Sequence, residues 1–102
     1  MEKKPTYYTI LPADIRYDNE LTPIAKLVFS EILVLSIKDG YCYASNNYFA
    51  ELYGVGIATI KRAVALLMEK NYITSQVIRK NKKICSRHLI VNEEIGSKMI
   101  PR

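Results

Sequence analysis

The chain has 102 residues, 49% of them hydrophobic, enough for one compact domain with one core and too few for two. Its formal charge of +5 is uneven: residues 1–50 carry five Lys or Arg against six Asp or Glu, whereas residues 51–102 carry ten against four. No apolar run reaches the ~18 residues of a membrane span, and the N-terminus MEKKPTYY lacks a secretory apolar stretch, so a cytoplasmic location is expected, with no membrane partner.

In chain order, Thr6 to Tyr17 reads as extended or short 3₁₀ structure, because Pro12 argues against a regular helix. The first secure helix starts at Thr22, an N-cap followed by Pro23. Its stripe of Ala25, Val28, Phe29, Ile32 and Leu33 or Leu35 should form much of the core. Lys38, Asp39 and Gly40 end it in a turn, and Tyr41 to Tyr43 fits a short first strand.

Ser45 to Asn71, SNNYFAELYGVGIATIKRAVALLMEKN, then reads as two helices joined by a tight turn. Phe49, Ala50 and Leu52 lie on one face of the second helix, and Ile60, Ala63, Val64 and Leu67 on one face of the third. Ala50 is small enough for close helix approach, and Gly54 suits the turn. This is a helix-turn-helix, the alternative being a plain helical hairpin. Tyr72 to Arg79 and Ile84 to Val91 are rich in β-branched residues and flank Lys80, Asn81, Lys82 and Lys83. Two strands joined by a short basic loop make a wing. The predicted fold is α+β: a winged helix-turn-helix of three helices and a small antiparallel sheet over residues 1–91. Residues 92–102 are expected to be a frayed end or the start of a linker.

The chain resembles the N-terminal winged-helix domain of replication initiators and replisome organisers from phages and plasmids of Gram-positive bacteria. The segments that carry the resemblance are YYTILPADIRYDNELTPIAKLVFSEI, GYCYASNNYFAELYGV and LLMEKNYI, within Tyr7 to Val91. The first is the more family-specific. Gly56 stands where such domains usually carry Ser or Thr, and Asn71 where they often carry Gly. Neither departure breaks the fold reading, because Gly is an acceptable N-cap and Asn tolerates a left-handed helix end. The resemblance implies binding at origin repeats, with replication proteins recruited through a further C-terminal region.

In that fold the third helix meets the major groove, with Ile57, Ala58, Thr59, Lys61, Arg62 and Ala65 facing outward. Lys61 or Arg62 can donate to guanine or contact phosphates without reading bases, and the apolar positions fit thymine methyl groups. Ser45, Asn46 and Asn47 open the second helix, where N–H groups suit a phosphate or ordinary capping. Arg79, Lys80, Asn81, Lys82, Lys83 and Arg87 supply the wing with charge, for backbone contact in preference to minor-groove reading. A single such module buries roughly 600 to 1,000 Å² of protein surface, so specificity calls for a dimer, tandem sites or a second domain.

Catalysis is not expected. His88 is the only histidine, Cys42 and Cys85 read most simply as free thiols, with a disulfide between neighbouring first and third strands as the alternative, and no phosphate-cradling Gly-rich motif is present. Cys85 and His88 at odd separation point to opposite strand faces, so they are not read as a zinc pair. Asp14, Asp18 and Glu20 are read as solvated charges near a turn, not a metal cluster, and no cofactor is expected. Eight tyrosines are read mainly as amphipathic packing residues with hydroxyls toward solvent. Leu66 and Met68 either extend the core under the N-terminal segment or form a self-association surface. Two other functions remain open: a transcriptional regulator at an operator, and a winged helix that binds protein partners only.

Overall fold

In the computed structural model, residues 4–92 and 94 are described. Helix α1, Ala13–Arg16, is one helical turn inside the segment expected to be extended or 3₁₀. Pro12 sits at its N-cap, where proline's missing N–H is not needed, and Ile15 is fully buried, which anchors the turn. Helix α2, Pro23–Leu35, is capped by Thr22, whose Oγ1 accepts from the Ala25 N–H at 3.2 Å. Helix α3, Asn46–Tyr53, is capped by Ser45, whose Oγ accepts from the Tyr48 N–H at 3.1 Å.

Gly54 ends α3 at φ 66°, a left-handed backbone that suits glycine, and the Val55 N–H returns to the Ala50 carbonyl at 3.1 Å. Helix α4, Ile57–Glu69, follows after Gly56. It closes on Asn71 at φ 61°, with the Asn71 N–H on the Met68 carbonyl and the Tyr72 N–H on the Leu67 carbonyl, both at 3.0 Å. Asparagine therefore does the work that glycine does at many helix ends.

Strands β1, Ile73–Lys80, and β2, Lys83–Val91, form an antiparallel hairpin. Both reach closer to the tip than their sequence indicates, leaving Asn81 and Lys82 as a two-residue loop at φ 53° and 66°. Such left-handed pairs match the twist of the flanking strands. Pairing shifts from Ile78↔Ser86 to Arg79↔Ile84, which leaves Cys85 as an extra residue in a bulge. The predicted first strand shrinks to one bridge, Cys42↔Leu89, with N–H to carbonyl bonds of 2.8 and 2.7 Å. The fold is a winged helix-turn-helix, with α1 as a fourth helix beyond the three expected. Except for Asn92 and Glu94, the tail predicted at 92–102 lies outside the described residues.

The core joins Ala25, Val28, Phe29, Ile32 and Leu33 of α2 to Phe49 of α3 and Ile60, Ala63, Val64 and Leu67 of α4. Ile73 and Leu89 plug the base of the hairpin into it. Leu33 is buried, whereas Leu35 packs at its margin. Glu31 is also buried, and its carboxylate is satisfied by the Tyr7 hydroxyl and, at 3.1 Å, by the Tyr53 hydroxyl. Burial, and then Glu31, raises the pKa of both phenols. These hydroxyls face a carboxylate, not solvent: a tyrosine is the donor that a buried glutamate needs.

Asp18 and Glu20 are not merely solvated charges. Lys70, at the end of α4, lies 2.8 Å from Asp18 and 2.5 Å from Glu20, and the Tyr72 hydroxyl donates to Asp18 at 2.5 Å. The Lys70 ammonium and the Tyr72 hydroxyl hold the Asp18 carboxyl down to about 2, from 3.8. A folded pKa below the unfolded one contributes stability that is complete above the unfolded value of 3.8 and is lost as pH falls toward about 2. Asp18→Asn should therefore lower the melting temperature near neutral pH and flatten its fall across that acid window. Thermal melts of both proteins from about pH 2 to 7 check this.

Candidate nucleic-acid interface

The turn at Gly54 brings the start of α4 beside α3, and the apolar stripe of α4 fixes which residues face out. Ile60, Ala63, Val64 and Leu67 point inward, leaving Ala58, Lys61, Arg62 and Ala65 exposed and Ile57 44% exposed. Thr59 is half-buried, and the Arg62 guanidinium reaches its Oγ1 at 3.4 Å. The outward set is thus a surface of two cations and small or aliphatic side chains, the mixture that contacts base edges and thymine methyls in a major groove.

At the start of α3 the Ser45 oxygen is occupied by its cap bond, while Asn47 is exposed. Asn46 is half-buried, and its Oδ1 accepts from the Arg87 guanidinium at 2.6 Å. Arg87 also donates to the Ala44 carbonyl at 3.2 Å. The structure therefore places Arg87 between the wing and α3, half-buried, with its pKa lowered by that burial. Arg79, Lys80, Asn81, Lys82 and Lys83 are all exposed along the outer hairpin. No acidic residue occurs between Glu69 and Glu93, so nothing in the hairpin sequence neutralises these cations.

Three exposed residues that local sequence does not single out border these side chains. Tyr43, 67% exposed, borders a groove between the wing and the start of α3, together with Ser45, Asn46, Ile84 and Arg87. Val77 and Ile84, 49% and 64% exposed, add aliphatic surface among the wing cations. The strand pattern alone marks them as sheet residues, because exposure at the hairpin's outer half follows from how far it projects beyond the helices. Leu66 packs against the core, whereas Met68 is 41% exposed. Cys42 is buried and Cys85 exposed, both as free thiols. Among the described residues no group of three or more His, Cys, Asp or Glu is placed to hold a metal ion. No described helix is long and apolar enough to cross a membrane.

Residues 19–73, more than half of the chain, match the helix-turn-helix domain family. The chain belongs to that family. The matched span runs from the turn before α2 through α3 and α4 to the first residue of the hairpin, so it contains the whole two-helix unit and stops short of the wing. The domain is also similar in structure to ZitR of Lactococcus lactis, solved as a cysteine-to-serine mutant, with a TM-score of 0.53 and 19% identity. That likeness covers 88% of this chain and 56% of the ZitR chain, and it bears on the fold. No curated protein matches the chain. Helix-turn-helix membership and the winged fold support double-stranded DNA as the partner.

Gly56 caps α4 without a side-chain hydrogen bond, at φ −75° and ψ 156°. A Cβ added there meets nothing within 4 Å. Gly56→Ser should therefore be accommodated, stabilise the domain by a few tenths of a kcal/mol, and add a hydroxyl at the N-terminal end of α4. The expected result is a Kd about twofold lower on duplex DNA with a slightly higher melting temperature. Titration and melting of the two proteins side by side check it.

Proposed function

We propose that this domain is a non-catalytic, sequence-specific binder of double-stranded DNA that recognises an origin in phage or plasmid replication. In this reading α4 enters the major groove, Lys61 and Arg62 face bases or phosphates, and Ile57, Ala58 and Ala65 pack on the groove wall. Ser45, Asn46 and Asn47 approach one backbone strand, and Arg79, Lys80, Asn81, Lys82 and Lys83 follow the flanking backbone. The observation that carries it is the exposed cationic face of α4 beside a helix N-terminus and a hairpin without acidic residues.

The origin role rests on resemblance in the opening segment, YYTILPADIRYDNELTPIAKLVFSEI. Replication proteins, acting through a further region of the protein, belong to the same proposal. The same module at an operator would make the protein a transcriptional regulator, and footprinting separates the two. Closely spaced repeats within a replication gene or origin are the expected pattern, whereas one inverted repeat across a promoter would replace the origin role with repression. A domain that bound only proteins would leave every duplex unprotected and would depend on exposed apolar residues such as Met68.

A further inference from the structure

The outer wing is a lever, and its direction decides whether its cations reach the duplex that α4 engages. Near the base the hairpin is held by Leu89 in the core, by the Cys42↔Leu89 bridge, and by Tyr41 stacked on His88 with ring centroids 3.7 Å apart. Arg87 pairs with Val77, and three further pairs lie beyond it: Ile78↔Ser86, Arg79↔Ile84 and Lys80↔Lys83. Among the described residues, no hydrogen bond or ion pair joins those outer pairs to the helices. Among the described residues, Arg87 is the outermost polar tie.

We propose that Arg87 is a positioning residue: it clamps β2 to the start of α3 and so aims the wing cations at the duplex contacted by α4. One guanidinium nitrogen, Nη2, donates both to the Ala44 carbonyl at 3.2 Å and to Asn46 Oδ1 at 2.6 Å. The planar, half-buried group thereby holds the loop before α3 and its first residue together. Nε is buried without a partner, and both acceptors are neutral. Keeping a desolvated cation on neutral acceptors is costly, whereas an aliphatic residue at this position would fill the space at no such cost. The guanidinium serves geometry that an aliphatic side chain cannot supply.

Magnitude supports a positioning role. Three residue pairs at ~3.4 Å per residue make an arm of about 10 Å beyond Arg87. A swing of about 20° would displace the tip by about 3.5 Å, well outside the spread of hydrogen-bond lengths. Lysine cannot replace arginine here, because one compact ammonium on a flexible stem does not fix a plane.

The clamp is tested without DNA and then with it, since its consequence for binding rests on the DNA-binding reading. Nitroxide labels at Lys82→Cys and Glu69→Cys, in a Cys85→Ser background with Cys42 buried, report the wing-to-body distance by pulsed electron paramagnetic resonance. A narrow distribution that broadens in Arg87→Met and in Arg87→Lys is expected; an unchanged distribution would overturn the proposal. Circular dichroism verifies that each variant is folded, and Asn46→Ala, which removes one anchor, serves if Arg87→Met is not. On duplex DNA, Arg87→Met should weaken binding about tenfold in the wild-type wing but less than about twofold once Lys82→Ala and Lys83→Ala are present. Additive losses would instead make Arg87 a direct phosphate ligand and overturn the positioning role. A wild-type domain that binds no duplex would remove the DNA reading, while the distance distributions would still decide the clamp.

Discussion

Replacing Lys61 and Arg62 together by alanine should weaken duplex binding about 100-fold and reduce the slope of log K against log salt by about 2. Both side chains are exposed on the outward face of α4, and α4 owes its place in the core to Ile60, Ala63, Val64 and Leu67. Alanine is a better helix former than either, so the fold should not suffer. Each lost cation releases about one fewer counterion on binding, which sets the change in slope, and each lost base or phosphate contact accounts for ~1 to 3 kcal/mol. Arg16→Ala, which removes an exposed charge from α1, provides the control and should change binding by less than about twofold. Titrations across a salt series measure both quantities. Losses of similar size for Arg16→Ala and the double variant would mean that total charge, not the α4 face, governs binding.

Phe49→Ala should be the most damaging single change to the helix-turn-helix. Phe49 is the fully buried residue of α3, and its ring meets Tyr48 edge-on with centroids 5.6 Å apart. Truncating a buried phenylalanine costs about 3 to 5 kcal/mol, a large share of the ~5 to 15 kcal/mol that holds a small domain folded. For a chain of this size that corresponds to a fall in melting temperature of about 20 °C. Eight residues are too few for α3 to remain helical without its tertiary contacts. DNA binding should therefore disappear well below the wild-type melting temperature. Ile37→Ala, at a position 70% exposed, should leave the melting temperature nearly unchanged in the same experiment.

The two-helix unit was legible in the sequence because its signals are local and agree with one another. Ser45 caps, Gly54 turns, and the stripe from Ile60 to Leu67 has one period, so the boundaries of α3 and α4 follow directly. The wing was legible for the same reason, although a two-residue left-handed loop let its strands run further than β-branched composition marks. What escaped the sequence depends on distant partners. Nothing near Glu31 in the sequence marks it as buried, because Tyr7 and Tyr53 are brought to it from 24 and 22 residues away. Asp18 and Glu20 find Lys70 and Tyr72 across half the chain. Arg87 looks like one more wing cation, yet its position opposite Asn46, 41 residues earlier, is set by the packing of hairpin against helices. Helix α1 escaped because Pro12 is a strong breaker inside a helix and a neutral residue at its start.

Fluorescence anisotropy of the domain on random duplexes, and on duplexes tiled from its own gene and flanking sequence across a salt series, tests DNA binding most directly. Tight binding to particular tiles is expected, with weak salt-dependent binding to the rest and a slope that falls when Lys82 and Lys83 are replaced by alanine. Absence of binding to every duplex, even near about 50 mM salt, would contradict DNA binding, because an exposed cationic helix and wing retain non-specific affinity there.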